Sequence, residues 1–299
     1  MRINRIATYL LILSLTGCFE KQVLIREKLN IKKTPQKESY ATLPKASEYI
    51  TIWIHGTKLL PRYILHRIYH APDGLTPAAS FDPQYHLRSI ADALCAADPT
   101  NFSSDYMFLF GWSGALAFEE REKAAQDLYK QLKQMVKSYV EKYGKQPKIR
   151  IITHSHGGNV ALNLAKIKDD PDFVIDELIL LACPVQEATA ELIKNPVFKE
   201  AFVLYSSLDL MQIIDPQGLY SHDDTRPLLS KRYFPTQENI TQVKIKMNGH
   251  ALLHSDFIRL KFVAALPQII DKMRELHKRC SCAHCLTHEQ TQQLLSIYT

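Results

Sequence analysis

Short apolar runs alternate along the chain with longer stretches of helical spacing. YITIWI, Tyr49 to Ile54, is the first run, and others lie at Tyr106 to Phe110, Ile149 to Thr153, Glu177 to Ala182, Ala201 to Tyr205 and Thr241 to Met247. Runs of this length, rich in β-branched residues, predict strands buried on both faces of a parallel sheet. Between them the period changes. Leu87, Ile90, Leu94 and Ala97 share one helical face within residues 85–97. Ala124, Leu128, Leu132, Met135, Tyr139 and Tyr143 recur every three or four residues, until Gly144 and Pro147 stop the pattern. A further helix follows Ser155 through Val160, Ala161, Leu162 and Leu164, and another begins near Ser255 or Asp256. Strand and helix in turn predict an α/β fold, a doubly wound and mostly parallel sheet with helices on both faces. Functional groups then belong at the carboxyl ends of the strands.

Both ends of the chain fall outside this pattern. Arg2 and Arg5 precede the apolar run IATYLLILSL, which is too short for a permanent membrane span and has the form of a secretory signal. Residues 18–48 are polar and Lys-rich without sustained periodicity, as in a flexible tether. Residues 49–276 hold the folded domain, and residues 277–299 form a Cys- and His-rich tail. The formal charge of +6 falls to +4 when Arg2 and Arg5 are removed with the signal. Basic residues are mixed with acids elsewhere, so no compact basic patch calls for nucleic acid.

Candidate chemistry centres on KIRIITHSHGGNVALN, residues 148–163. An apolar strand runs directly into a Ser flanked by two His, then two Gly, then helix-forming residues. Strand, sharp turn and helix would hold Ser155 at the apex as a nucleophile whose hydroxyl projects from the strand end, with the His156 main-chain N–H donating to an oxyanion. Thr153 stands where the elbow motif G-x-S-x-G has its first Gly. The strand Tyr49 to Ile54 ends in His55-Gly56-Thr57, whose main chain offers the second oxyanion donor at Gly56 or Thr57. A Ser hydroxyl needs a His as base, and that His needs a carboxylate. Downstream of Ser155 the acid is Asp209, beyond a strand end, with Asp215 as its alternative. The base is His250, after Asn248 and Gly249, with His254 as its alternative.

In IHGT, THSHGGN and GHALLH the chain resembles the α/β-hydrolase fold serine hydrolases, the superfamily of lipases and esterases, over about residues 48 to 276. FGWSG, followed by the long helix with Arg121, also resembles a segment of uncharacterised bacterial members. This resemblance implies a Ser-His-Asp triad that hydrolyses carboxylic, including lipid, esters through an acyl-enzyme, without cofactor or metal. The end of the signal, Leu15-Thr16-Gly17-Cys18, resembles the lipobox of bacterial lipoproteins. It implies cleavage before Cys18, acylation there, and anchoring in the cell envelope. Two alternatives use the same fold: a non-catalytic binding lipoprotein, and an acyltransferase or thioesterase on the same triad. The segment 215–239 is long enough to form a cap over the site.

Cys95 and Cys183 lie in apolar surroundings and read as buried free thiols. In the tail, Cys280, Cys282 and Cys285 stand beside His277, His284 and His288. That density fits a Cys280–Cys285 disulfide or a Zn or Cu clip, and neither role is catalytic.

Overall fold

A computed structural model of the chain describes residues 24–30, 47–57, 72–167, 170, 172–214, 231–282 and 292–298. Among these, one sheet contains β1 (Leu24–Asn30), β2 (Tyr49–Ile54), β3 (Gly74–Pro77), β4 (Met107–Gly111), β5 (Lys148–His154), β6 (Ile175–Leu181), β7 (Phe198–Tyr205), β8 (Ile240–Met247), β9 (His250–Ala251) and β10 (Gln292–Tyr298). The spatial order is β1-β10-β8-β7-β6-β5-β2-β4-β3, with β9 turned back on β8. The β3–β4 and β8–β9 pairs are antiparallel, and every other pair is parallel.

From β2 the chain builds β3 and β4 on one side, then returns to place β5 on the other side of β2 and continues outward through β6, β7 and β8. Loops leaving two strands at such a reversal diverge and open a crevice at their carboxyl ends. Here that crevice lies between the end of β2, at His55-Gly56-Thr57, and the end of β5, at Ser155.

Five α-helices cover the sheet among the described residues: α1 (His86–Ala97), α2 (Phe118–Tyr143), α3 (Gly157–Leu162), the short α4 (Glu187–Ala190) and α5 (Leu260–Cys282). Leu87, Ile90 and Leu94 of α1, with Phe262, Val263, Leu266, Ile270 and Met273 of α5, pack on Trp53 and Ile152. On the other face Ala124, Leu128 and Leu132 of α2, with Val160 and Ala161 of α3, pack on Ile50, Ile52, Ile149 and Ile151. The period-two alternation of β2 and β5 thus divides their side chains between two cores. Each fully buried aliphatic side chain stabilises the fold by about 1.5–3 kcal/mol.

A buried ion cluster lies near the amino ends of β5 and β6, away from the crevice. Arg150 Nε donates to Glu177 Oε2 at 2.5 Å, and Arg274 Nε donates to Glu177 Oε1 at 3.0 Å. The Arg150 guanidinium also lies 3.9 Å from the Tyr49 ring centroid. Burial pushes the Glu177 carboxyl up, but Arg150 and Arg274 outweigh it and hold the group below its ordinary value.

Both sequence-derived boundaries of the domain change. Leu24–Asn30, expected within the flexible tether, is strand β1, and Gln292–Tyr298, expected within the tail, is strand β10. β10 lies between β1 and β8, so β8 is followed by one more parallel strand. Helix α5 runs on to Cys282, past the expected boundary at residue 276. Cys285, His284 and His288 lie outside the described residues, as do Cys18 and the signal. Among the described residues, no helix is long and apolar enough to cross a membrane and no group of three or more His, Cys, Asp or Glu could hold a metal ion. Cys183 is buried and free, and Cys95 is free and partly buried, with its thiol pushed up to about 12 by burial.

Candidate active site

Ser155 has φ 55°, the left-handed region. For a residue with a side chain this conformation costs roughly 1–2 kcal/mol. Its N–H donates to Leu181 O at 2.9 Å, and Gly158 N–H donates to Ser155 O at 3.0 Å, so the turn is tied to β6 and to α3. The turn is tight because α3 packs against the end of β2. A Cβ on Gly157 would lie 2.6 Å from the His55 carbonyl oxygen and 2.7 Å from that of Ile54. Thr153 is buried within β5, with its Oγ1 donating to Ile179 O at 3.4 Å. The sharp turn is therefore made by Ser155 and the two Gly after it, without Gly at position 153.

Asp209 follows β7 and is 1% exposed. Its Oδ1 accepts from Gln212 N–H at 3.0 Å, and its main-chain carbonyl accepts from Arg232 Nη2 at 3.2 Å. The partner of its carboxylate is His254. Nδ1 of His254 lies 2.9 Å from Oδ2 and 3.1 Å from Oδ1. A carboxylate receives the Nδ1–H of a neutral imidazole, which leaves Nε2 as the basic nitrogen.

His250, the base favoured by the sequence, stands elsewhere. Asn248 and Gly249 both have positive φ, 50° and 81°, and form the two-residue turn between β8 and β9. Such a turn folds the chain straight back on its own strand. His250 is consequently paired with Met247 and exposed. Asp215, the alternative acid, lies outside the described residues, as does the segment 215–230 of the expected cap.

The two His that flank Ser155 are buried. Burial lowers the His154 imidazole to about 3, with the nearby His254 and His55 adding to the effect. His156 is lowered to about 3 by burial and then by Arg121, which is itself buried and donates to Gln186 Oε1 at 3.1 Å. Nε2 of His154 lies 3.0 Å from the His254 main-chain carbonyl oxygen, and the two rings are 4.6 Å apart. His254 is thereby packed against the residue that precedes Ser155.

The loop after β2 closes the other side. A Cβ on Gly56 would lie 2.8 Å from Ser155 Cβ, so the Gly56 backbone abuts the nucleophile position. Trp112 N–H donates to His55 Nε2 at 3.2 Å, which assigns the His55 proton to Nδ1, and this donates to Gly56 O at 2.7 Å. Across a trans peptide the Thr57 N–H is anti to that carbonyl, so His55 also fixes where this N–H points. Trp112 Nε1–H in turn donates to His55 O at 2.8 Å. Next to the triad residues in the chain, Leu208 and Leu210, on either side of Asp209, are 56% and 57% exposed, and Leu253, which precedes His254, is 53% exposed.

Sequence reasoning did not assign His154, His55 or Trp112 to this network, although Trp112 stands in the FGWSG segment. A partial signal existed for His154. Two residues beyond Ile152, it belongs to the same sheet face, the one that also carries Leu252, Phe257 and Ile258. Which layer receives residues 252–258 is decided by the tertiary fold.

The sheet order, the crevice at its reversal and the strained turn after β5 are those of an α/β-hydrolase fold. No protein-family profile matches the chain. No curated protein sequence matches it either. Among solved structures it is similar to an esterase from Pyrobaculum calidifontis, at 15% identity over 80% of each chain with a TM-score of 0.36. It is also similar to the phospholipase PlaB from Legionella pneumophila, at 11% identity over 82% of this chain and 67% of that one, with a TM-score of 0.33. An acylaminoacyl peptidase from Pyrococcus horikoshii shares 9% identity over 86% of this chain and 33% of that one, with a TM-score of 0.26.

Proposed function

We propose that the chain is a membrane-tethered hydrolase of carboxylic esters, with Ser155 as nucleophile, His254 as general base and Asp209 as the acid that orients it. The observation that carries this reading is the Asp209–His254 pair, packed through the His154 ring against the strained turn of Ser155. In the reaction Ser155 Oγ attacks the acyl carbonyl while His254 Nε2 takes its proton. The oxyanion receives main-chain N–H groups of His156 and of Gly56 or Thr57. His254 then protonates the departing alkoxide; water attacks the acyl-enzyme with its proton passing to His254, and as the acyl–Oγ bond breaks to release the acid, His254 returns that proton to Ser155 Oγ. The exposed Leu208, Leu210 and Leu253 favour substrates with apolar acyl chains. Acylation at Cys18 would hold the domain at a lipid surface in the cell envelope.

The test is labelling of the folded domain with a fluorophosphonate, with hydrolysis of p-nitrophenyl esters as the rate measurement. Ser155→Ala should abolish both, and His254→Ala should lower the rate by about 10³-fold or more. His250→Ala should stay within about twofold of the wild type, since an exposed ring on a hairpin is no part of the relay. Loss of activity in His250→Ala with retention in His254→Ala would reverse the assignment of the base. A folded wild type that neither labels nor turns over would instead favour the binding-lipoprotein alternative. Transfer of the acyl group to an added alcohol or thiol in preference to water would identify an acyltransferase. For the anchor, Cys18→Ala should release the chain from membranes and abolish incorporation of labelled palmitate.

A further inference from the structure

We infer that His154 is a positioning residue for His254: its Nε2–H donates to the His254 main-chain carbonyl, and its ring braces the imidazole that receives the Ser155 proton. This rests on the reading of His254 as the base.

Three observations carry it. Nε2 of His154 lies 3.0 Å from the His254 carbonyl oxygen, and a carbonyl only accepts, so the proton of the neutral ring is on Nε2. The rings of His154 and His254 are 4.6 Å apart and inclined at 49°, so the contact reaches the side chain of His254 as well as its backbone. A Cβ on Gly56 would lie 3.4 Å from His154 Nδ1, so the same ring also stands beside the oxyanion loop. His154 is the last residue of β5 and precedes Ser155. One imidazole thus joins the nucleophile strand, the oxyanion loop and the segment of the base.

The Asp209 pair fixes His254 at Nδ1 alone and leaves the ring free to swing about that contact. Holding the His254 main chain removes part of that freedom, because the ring then has a fixed Cα from which to reach Ser155. Neutrality is part of the role. His254 becomes positively charged when it takes the Ser155 proton, and a second charge on the ring packed against it would oppose that step. The titratable groups that face His154 are His254 and His55, and its deep burial excludes the charged form.

The substitutions that separate a donor from a filler are His154→Gln and His154→Asn. Gln places its amide nitrogen where the imidazole has Nε2, whereas Asn reaches only the position of Nδ1. With p-nitrophenyl acetate, His154→Gln should stay within about threefold of the wild-type kcat. His154→Asn should lose about 10- to 100-fold in kcat, with KM moving less than about threefold. Equal kcat in the two variants would overturn the inference while leaving the hydrolase reading intact. Absence of wild-type turnover and labelling would overturn the hydrolase reading and this role with it. A second measurement does not depend on the variants folding. Nitrogen-15 NMR of the imidazoles should find His154 of the wild type as the Nε2–H tautomer, without titration between about pH 5 and pH 8. An Nδ1–H tautomer, or titration in that range, would equally overturn it.

Discussion

Burial holds the imidazoles of His154 and His156 at about 3, whereas an unfolded chain leaves each near about 6.5. Between those values the unfolded chain takes up protons that the folded chain refuses. The stability these residues supply is therefore complete above about pH 6.5 and is lost as the pH falls toward 3, at about 1.4 kcal/mol per pH unit for each. Urea midpoints measured at about pH 7, 6 and 5 should fall in the wild type, and His156→Asn should flatten that slope by about one proton; an unchanged slope would mean that the ring is not held neutral. The same scale governs the ion cluster. Glu177→Ala would leave Arg150, 0% exposed, without its carboxylate. The expected loss is about 3–5 kcal/mol, read as a Tm lowered by about 10 °C. Ester turnover of the folded fraction should persist, because the cluster lies near the amino ends of the strands.

Among the elements, α3 shows why the turn must be made by Gly. Every residue of this short helix is buried, and its first residue faces the carbonyl oxygens of Ile54 and His55. Backbone oxygens cannot rotate away from an added methyl group, so Gly157→Ala must lift α3 from β2 and carry Ser155 with it. Stability should fall by about 1–3 kcal/mol, and turnover by about 10²-fold or more, a loss out of proportion to the change in Tm. Turnover near the wild-type level would show that the turn relaxes without moving the nucleophile. The elements that were legible are those with a local signature. Ile149 to Thr153 announces a strand by its run of β-branched residues, and the spacing of Leu128 and Leu132 announces a helix. The β8–β9 hairpin had a signature as well. Asn-Gly is a strong hairpin signal, and the choice of His250 as the base overlooked it.

Across the molecule, β1 and β10 join the two ends of the chain. Leu24 pairs with Gln292, and β10 continues the sheet onto β8. Ending the chain after Cys282 would remove the partner of β1 and leave β8 with an open edge, a template for pairing between molecules. Size-exclusion chromatography of that truncation should show aggregation, together with a lowered Tm. A monomer of unchanged Tm would place the pair outside the cooperative unit. The position of β1 also bears on the anchor: five residues separate Cys18 from Leu24. At about 3.5 Å per extended residue this link reaches no more than roughly 20 Å, so a lipid on Cys18 would keep that edge of the sheet close to the membrane.

Neighbouring residues suffice to encode the alternation of strands and helices, the turn at Ser155 and the loop at Gly56, because each is written in the steric demands of a short stretch of backbone. The position of Asp209 just past a strand end was legible in the same way. That His254 rather than His250 meets this carboxylate, that His154 reaches the His254 carbonyl, and that residues 24–30 and 292–298 are strands emerges only in the folded chain. Those outcomes depend on pairings between segments far apart in the chain. Residues such as Lys28 and Gln293 become strand residues through the partner whose main-chain groups they bond, and no local pattern of side chains encodes that partner.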